Sequence, residues 1–386
     1  MPILNRINDL ADEIAAWRHD FHAHPELMYE EHRTAARVAE LLRSFGVDEV
    51  ATGLGKTGVV GIIRGSRPGA TIGLRADMDA LPIEEASEAE YASQQPGKMH
   101  ACGHDGHTAM LLGAAKYLAE TRDFAGSVAV IFQPAEEGGA GGLAMAKDGL
   151  FERWPIEKVF ALHNLPGFPE GQVLTRPGPL LASVDMFDIT LTGAGGHAAW
   201  PHTTSDPLVA AAQVLSAVQA IVSRETGPLQ SAVVSFTQMH AGNAYNVIPT
   251  EAHLAGTIRT LDPDLRDMAS RRLEEIATGV GQALGVTVSV RIDRVTGVVM
   301  NDPELTDFCA GIAGDIVGPA NVDSAMEPLM GGDDFSYMAD ERPACYVFIG
   351  QGDTAALHTS GYDFNDRIIP AGVSYWVRLA QTATLG

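Results

Sequence analysis

Val128-Ala129-Val130-Ile131-Phe132 is apolar without a break and runs straight into Gln133-Pro134-Ala135-Glu136-Glu137-Gly138-Gly139. A strand with no polar face must be covered on both sides, as the inner strands of a parallel α/β sheet are. Gly58 to Ile63, Thr71 to Ala76, Val159 to Leu162 and Ala344 to Ile349 read as further apolar strands. The second of these ends in Asp77-Met78-Asp79, the third in His163-Asn164, and the last leads into Leu357-His358. In open α/β sheets ligands bind outside the carboxyl ends of the strands. The repeated delivery of polar groups to that edge therefore predicts both a fold class and a site.

A chain of 386 residues exceeds what one hydrophobic core usually serves, so two domains are expected. From Asp185 the texture changes. Met186 to Thr192, Ala232 to Met239, Ala252 to Thr260 and Val286 to Ile292 alternate like half-buried strands, and Asp206-Pro207 and Asp262-Pro263 open helices between them. The order β-α-β-β-α-β is the ferredoxin-like unit. We expect a larger α/β domain, 1–184 with 296–386, whose sheet is mostly parallel, interrupted by a ferredoxin-like α+β domain over 185–295. The first helix carries an apolar stripe of Leu4, Ile7, Leu10, Ile14, Trp17 and Phe21, which reads as an ordinary amphipathic helix and not a signal sequence. His22-Ala23-His24-Pro25, at its end, reads as a surface cap.

Composition narrows the partners. A net charge of −23 argues against nucleic acid and anionic membranes. No run of eighteen apolar residues is present, so nothing is expected to span a bilayer. Three cysteines, Cys102, Cys309 and Cys345, make no disulfide framework and fit a reducing, cytoplasmic setting.

The densest chemistry lies in His100-Ala101-Cys102-Gly103-His104-Asp105-Gly106-His107, just ahead of a helical apolar pattern through Met110, Leu111, Ala114 and Leu118. Collected at one sheet edge with Asp77, Glu136, Glu137, His163 and His358, these groups offer thiolate, imidazole and carboxylate together. That set suits Zn, Mn, Co or Ni and not Mg or Ca. There are more donors than one tetrahedral ion needs, which favours two. Ions roughly 3.5–4 Å apart lower the pKa of a shared water and clamp the oxygens of a tetrahedral intermediate. One of the adjacent glutamates is then free to be the general base, although spacing alone does not say which.

Met99-His100-Ala101-Cys102-Gly103-His104-Asp105, Gln133 to Gly139, Leu162-His163-Asn164, Gly195-Gly196-His197-Ala198-Ala199-Trp200-Pro201-His202, Asn243 to Pro249 and Leu357-His358 occur in an order that resembles the dinuclear metallo-aminoacylases related to carboxypeptidase G. The nearest branch is similar to hippurate hydrolases and indoleacetyl-amino acid amidohydrolases. The resemblance implies Cys102, His104, Glu137, His163 and His358 as ligands of two divalent ions, and Glu136 as the general base. It implies His197 as an oxyanion donor, Asn246 and Arg259 as holders of a substrate carboxylate, and a homodimer formed through the inserted lid domain. The wider superfamily's metal-binding histidine is replaced here by Arg75, which puts Arg75 and Asp77 behind the ligands as orienting groups. The implied reaction cleaves the amide of a small N-acyl-amino acid, with a dipeptidase or carboxypeptidase on the same scaffold as the alternative. Asn243, His202 and His240 are undecided, and Gly331 to Asp334 reads as a turn lining the cleft.

Overall fold

The computed structural model describes residues 5–384; Leu4, the first member of the apolar stripe, lies outside them. The chain divides into two compact units, one running through Leu180 and including Met300–Glu327 and everything from Asp334, the other formed by Leu181–Val299 and Pro328–Asp333. The segment Pro328–Asp333, expected with the large domain, groups with the second unit. There the Ala182 N–H donates to the carbonyls of Leu329 (3.1 Å) and Gly331 (2.8 Å).

The first unit is built on an eight-stranded sheet. Its opening strands are β1 (Glu49–Leu54), β2 (Gly58–Arg64), β3 (Arg67–Asp77), β4 (Ala125–Gln133) and β5 (Ile156–Leu165). The order across the sheet starts β1-β2-β4-β3-β5 and continues with the strand Ala344–Gly350 and two short strands, Val173–Leu174 and Val322–Asp323. β4, β3, β5 and Ala344–Gly350 are mutually parallel, while β1 and β2 run antiparallel at one edge. The inner strands carry apolar runs because both faces are covered; Val128 to Phe132 and the whole of Ala344–Gly350 are buried.

Three helices matter most for the site: α1 (Asn5–Ala23), α2 (His32–Ser44) and α3 (His104–Thr121). The α1 stripe of Ile7, Leu10, Ile14, Trp17 and Phe21 is buried in the same core as Met110, Leu111, Ala114 and Leu118 of α3. From β3 the chain crosses through α3 to β4 on one side, then returns to β5 on the other side of β3. The carboxyl ends of β3 and β5 thus flank a topological switch point, where loops diverge and leave a crevice.

The second unit has a four-stranded antiparallel sheet in the order 232–241, 251–260, 183–192, 287–296. With helices Pro207–Val218 and Pro263–Leu284 it has the β-α-β-β-α-β order and the ferredoxin-like strand arrangement. Both helices start at an Asp-Pro step because the carboxylate accepts the first free amides, Asp206 from Leu208 N (2.9 Å) and Asp262 from Asp264 N (2.8 Å). By length and composition alone Pro207–Glu225 passes as a stretch that could cross a bilayer. Its residues Ala210, Ala211, Val214 and Val218 are instead buried in the core of this unit.

Candidate metal centre

β3, β4, β5 and Ala344–Gly350 end on one edge of the first unit's sheet, and the strand ends and the loops that follow bring together donors from four places in the chain. The side-chain donor atoms of Cys102, His104 and His163 lie within 4.8 Å of one another, and so do those of Cys102, Glu137 and His358. The two trios share the Cys102 sulfur. His104, Glu136 and Glu137 form a third such group. Cys102 Sγ is 3.4 Å from His163 Nε2, and His358 Nε2 is 3.2 Å from Glu137 Oε1.

The imidazoles are held in the tautomer a ligand needs. His104 Nδ1 faces the Asp79 carbonyl at 2.9 Å and Asp79 Oδ1 at 3.2 Å, both acceptors, so Nδ1 donates and Nε2 is the nitrogen presented to the cluster. That Nε2 is buried and has no hydrogen-bond partner among the described residues. His163 Nδ1 likewise donates to the Asn164 carbonyl at 2.6 Å, which turns Nε2 toward Cys102. An orphaned imidazole nitrogen amid thiol and carboxylate donors fits a borderline-soft divalent ion.

Proton affinities in the cluster point the same way. Burial pushes the Cys102 thiol up, with Glu137 adding to it. Burial would lower His104, but Asp77 and Cys102 outweigh it and hold His104 well above the usual imidazole range. Hydrogen bonds that the His358 ring makes to Cys102 and Glu137 push His358 up to about 10. Burial, with His107, keeps His163 well below its ordinary value. The anionic donors thus draw positive charge into the space between them. A cation that binds there must displace those protons.

Backbone geometry positions each donor. Gly103, between two proposed ligands, has φ +93°, and a Cβ there would meet Asn164 Oδ1 at 2.2 Å. Ala135 (φ 52°) and His358 (φ 61°) occupy the left-handed region although neither is glycine, a strain of about 1–3 kcal/mol each that the surroundings must hold. For Ala135 the support is Glu31, a fully buried carboxylate that accepts from Ala135 N (2.8 Å), Tyr29 N (2.9 Å) and Thr57 Oγ1 (2.5 Å). Asp334 braces the same turn, accepting from Gln133 Nε2 (2.6 Å) and Gly142 N (2.8 Å). That carboxylate was expected to line a cleft; it is fully buried and ties the turn of the paired glutamates to the protein interior. His358 N–H donates to the Ala101 carbonyl at 2.7 Å, which fixes its loop to the Cys102 loop.

Arg75 and Asp77 stand behind the donors. Arg75 Nη1 donates to Asp77 Oδ2 (2.6 Å), and Asp77 Oδ1 accepts from His107 Nδ1 (2.6 Å). His107 Nε2 is spoken for by Asn164 at 2.8 Å. His107 thus has no lone pair to spare and serves as a link between β3 and β5. The desolvation of Asp77 is outweighed by His104 and Arg75, which hold its carboxyl well below the usual range.

Several of these supports escaped the sequence reading. Asp79 was seen only as the second carboxylate of a strand-end pair, yet it holds both His104 and the Glu137 amide (N to Oδ2, 2.9 Å). His107, Asn164 and Glu31 went unassigned. His22, expected on the surface, is fully buried and bonded to Asp105 Oδ2 (2.8 Å) and Glu85 Oε1 (3.2 Å). His24 does sit half-buried at the helix end, on the Asp20 carbonyl (2.8 Å).

His197, Asn246 and Arg259 belong to the second unit. His197 pairs with Val247 in a two-stranded ribbon, so Asn246 lies one residue from its partner strand. His197 is exposed, and its Nδ1 accepts from Ala199 N at 3.0 Å. Arg259 is half-buried and donates to the Met330 carbonyl at 3.0 Å. His202 is exposed, and His240 stacks on His253 with ring centroids 6.4 Å apart.

Residues 73–382 match the sequence profile of Peptidase family M20/M25/M40. The chain is 40% identical over 380 residues to a hippurate hydrolase of Campylobacter jejuni, covering 98% of this chain and 99% of that protein. It is 39% identical to thermostable carboxypeptidase 2 of Saccharolobus solfataricus, covering 95% and 94%. Among solved structures it superposes with TM-score 0.85 and 31% identity on a Bacillus subtilis dinuclear metal binding peptidase from the M20 family, over 98% of this chain and 99% of that one.

Proposed function

Because the chain belongs to Peptidase family M20/M25/M40, we propose that it is a dinuclear metal-dependent amidohydrolase that cleaves N-acyl-amino acids into a carboxylic acid and a free amino acid. The observation that carries this reading is the pair of donor trios sharing the Cys102 sulfur, with a further carboxylate, Glu136, 4.0 Å from the orphaned His104 Nε2. Cys102, His104, Glu137, His163 and His358 would hold the ions, which when bound supply an acidified water and a polarised amide carbonyl. The mixed sulfur, nitrogen and oxygen set favours Mn, Zn, Co or Ni.

Glu136 takes the proton of the attacking water and passes it to the departing amine nitrogen. Its neighbour Glu137, grouped with Cys102 and His358 in the ligand set, is left out of that role. His197 accepts at Nδ1 from Ala199, so the neutral ring carries its proton on Nε2 and can donate it to a developing oxyanion. Arg259 makes no ion pair among the described residues, which leaves its fork for the substrate's α-carboxylate alongside Asn246. The likeness to a hippurate hydrolase supports acyl-glycine-type substrates, and the likeness to a carboxypeptidase supports the same cut in a peptide. The leaving group is an amino acid with a free carboxylate in both. Three buried free thiols support a reducing, cytoplasmic setting. Exposed Trp200, Val209 and Met239 support a homodimer through the second unit.

The test is release of free amino acid from N-benzoyl-, N-acetyl- and aminoacyl-amino acids after loading with each metal. Chelator-sensitive release from the acyl conjugates is expected. No release from any of them, with any metal, would overturn the reading.

A further inference from the structure

The ligand set spans two loops that no regular backbone joins. His104 opens α3, whereas His358 sits in a stretch, 351–365, that contains no helix or strand. Apart from the His358 N–H bond to the Ala101 carbonyl, no strand ladder or helix holds His358 in place, yet a metal site tolerates only about ±0.2 Å in its donor distances. One side chain reaches both loops. Arg18 of α1 has no solvent exposure. Its Nε donates to Asp105 Oδ2 at 2.7 Å, and its Nη2 donates to Asp363 Oδ1. Asp105 directly follows His104, and Asp363 closes the His358 stretch. The far oxygen of Asp363 accepts from Tyr91 (2.8 Å), and the Arg18 guanidinium lies over the Tyr91 ring, 4.7 Å from its centroid. On the adjoining residue, Tyr362 Oη pairs with Asn164 Nδ2 at 2.8 Å, so the same stretch is pinned toward His163 as well.

Building on the two-metal reading, we infer that Arg18 is a positioning residue for that centre: by holding Asp105 and Asp363 at once, it sets the separation of the His104 and His358 loops and so the capacity to keep both ions. Fork geometry is essential to the role. A guanidinium can bond two carboxylates in fixed directions from one buried point, and an ammonium cannot. A side chain that only filled the core would need neither carboxylate. Buried ion pairs are poor contributors to net stability, so their presence here favours a geometric role.

The test uses the full chain with Arg18→Lys, Asp363→Asn and, as a control on the same helix, Arg6→Ala, which removes an exposed pair with Glu120. Bound ions per chain are measured by dialysis and elemental analysis, the melting temperature is recorded, and the cobalt-loaded proteins are compared by absorption. Cobalt reports directly on the site through its d–d bands and the Cys102 thiolate charge-transfer band. Wild type and Arg6→Ala are expected to hold two ions. Arg18→Lys and Asp363→Asn should keep one and bind the other about 10- to 100-fold more weakly, with altered d–d bands. Should Arg18→Lys fail to fold, Asp363→Asn decides, since its side chain is already 38% exposed. Two ions at wild-type affinity and an unchanged cobalt spectrum in Asp363→Asn would overturn the inference alone. A wild-type chain unable to hold two ions would overturn the metal reading on which it rests.

Discussion

The two units hold their candidate groups in opposite ways. In the first, nearly every proposed ligand has a second tie: His104 to Asp79, His163 to the Asn164 carbonyl, the paired glutamates through Ala135 to Glu31. In the second, His197 is exposed and makes a single local bond to Ala199, and Arg259 keeps one carbonyl contact. The first arrangement is rigid before anything binds, as ion coordination requires. The second leaves donors and charge unspent for a ligand that arrives later. A difference in wiring thus separates the groups proposed to build the centre from the groups proposed to meet the substrate.

Substitutions should respect that division. The largest effect is expected from Glu136→Gln, which should lower kcat by about 10²–10⁴ while both ions stay bound; loss of metal in this variant would move Glu136 into the ligand set. His197→Ala should cost about 10²–10³ in kcat with metal content unchanged, and a normal kcat would remove it from the reaction. Arg259→Met should act mainly on KM, by about 1.5–3 kcal/mol or roughly tenfold to a hundredfold, because it discards a charge-assisted contact to the substrate. An equal loss with amide substrates lacking a carboxylate would contradict that role.

The smallest effect is on stability. Burial would lower His22, but its bond to Asp105 outweighs this and raises it to about 9 from 6.5. A raised imidazole contributes its full stabilisation below pH 6.5 and loses it as pH climbs through about 9. The melting temperature of wild type should therefore fall across that window, and His22→Gln should flatten the decline. Its partner Glu85 is desolvated, yet the His22 bond lowers it to about 2, so that contribution should persist above pH 4.5 and vanish only as pH drops toward 2.

Much of this was legible in the chain itself. Apolar strands running into Asp77, Glu136, His163 and the His358 loop advertise a parallel sheet with chemistry at one edge, because burial on both faces leaves a strong compositional mark. The β-α-β-β-α-β order was readable from alternation and from two Asp-Pro steps. What escaped was the second layer. His22, Glu31, His107 and Asp334 are buried polar groups that have side-chain partners 26 to 259 residues away. Nothing periodic announces such pairings, and a polar residue near Pro or Gly looks like surface until its partner is known. Pro328–Asp333 was misplaced for a related reason: short loops carry no pattern that says which core they pack on.

Cys102 and His358 are separated by most of the polypeptide, and their loops leave non-adjacent strands. The trio of Cys102, Glu137 and His358 needs β3, β4 and the strand Ala344–Gly350 in their native order. Tight uptake of metal is then a certificate of correct topology, and a mispaired chain would be left without its catalyst instead of becoming a poorly controlled hydrolase.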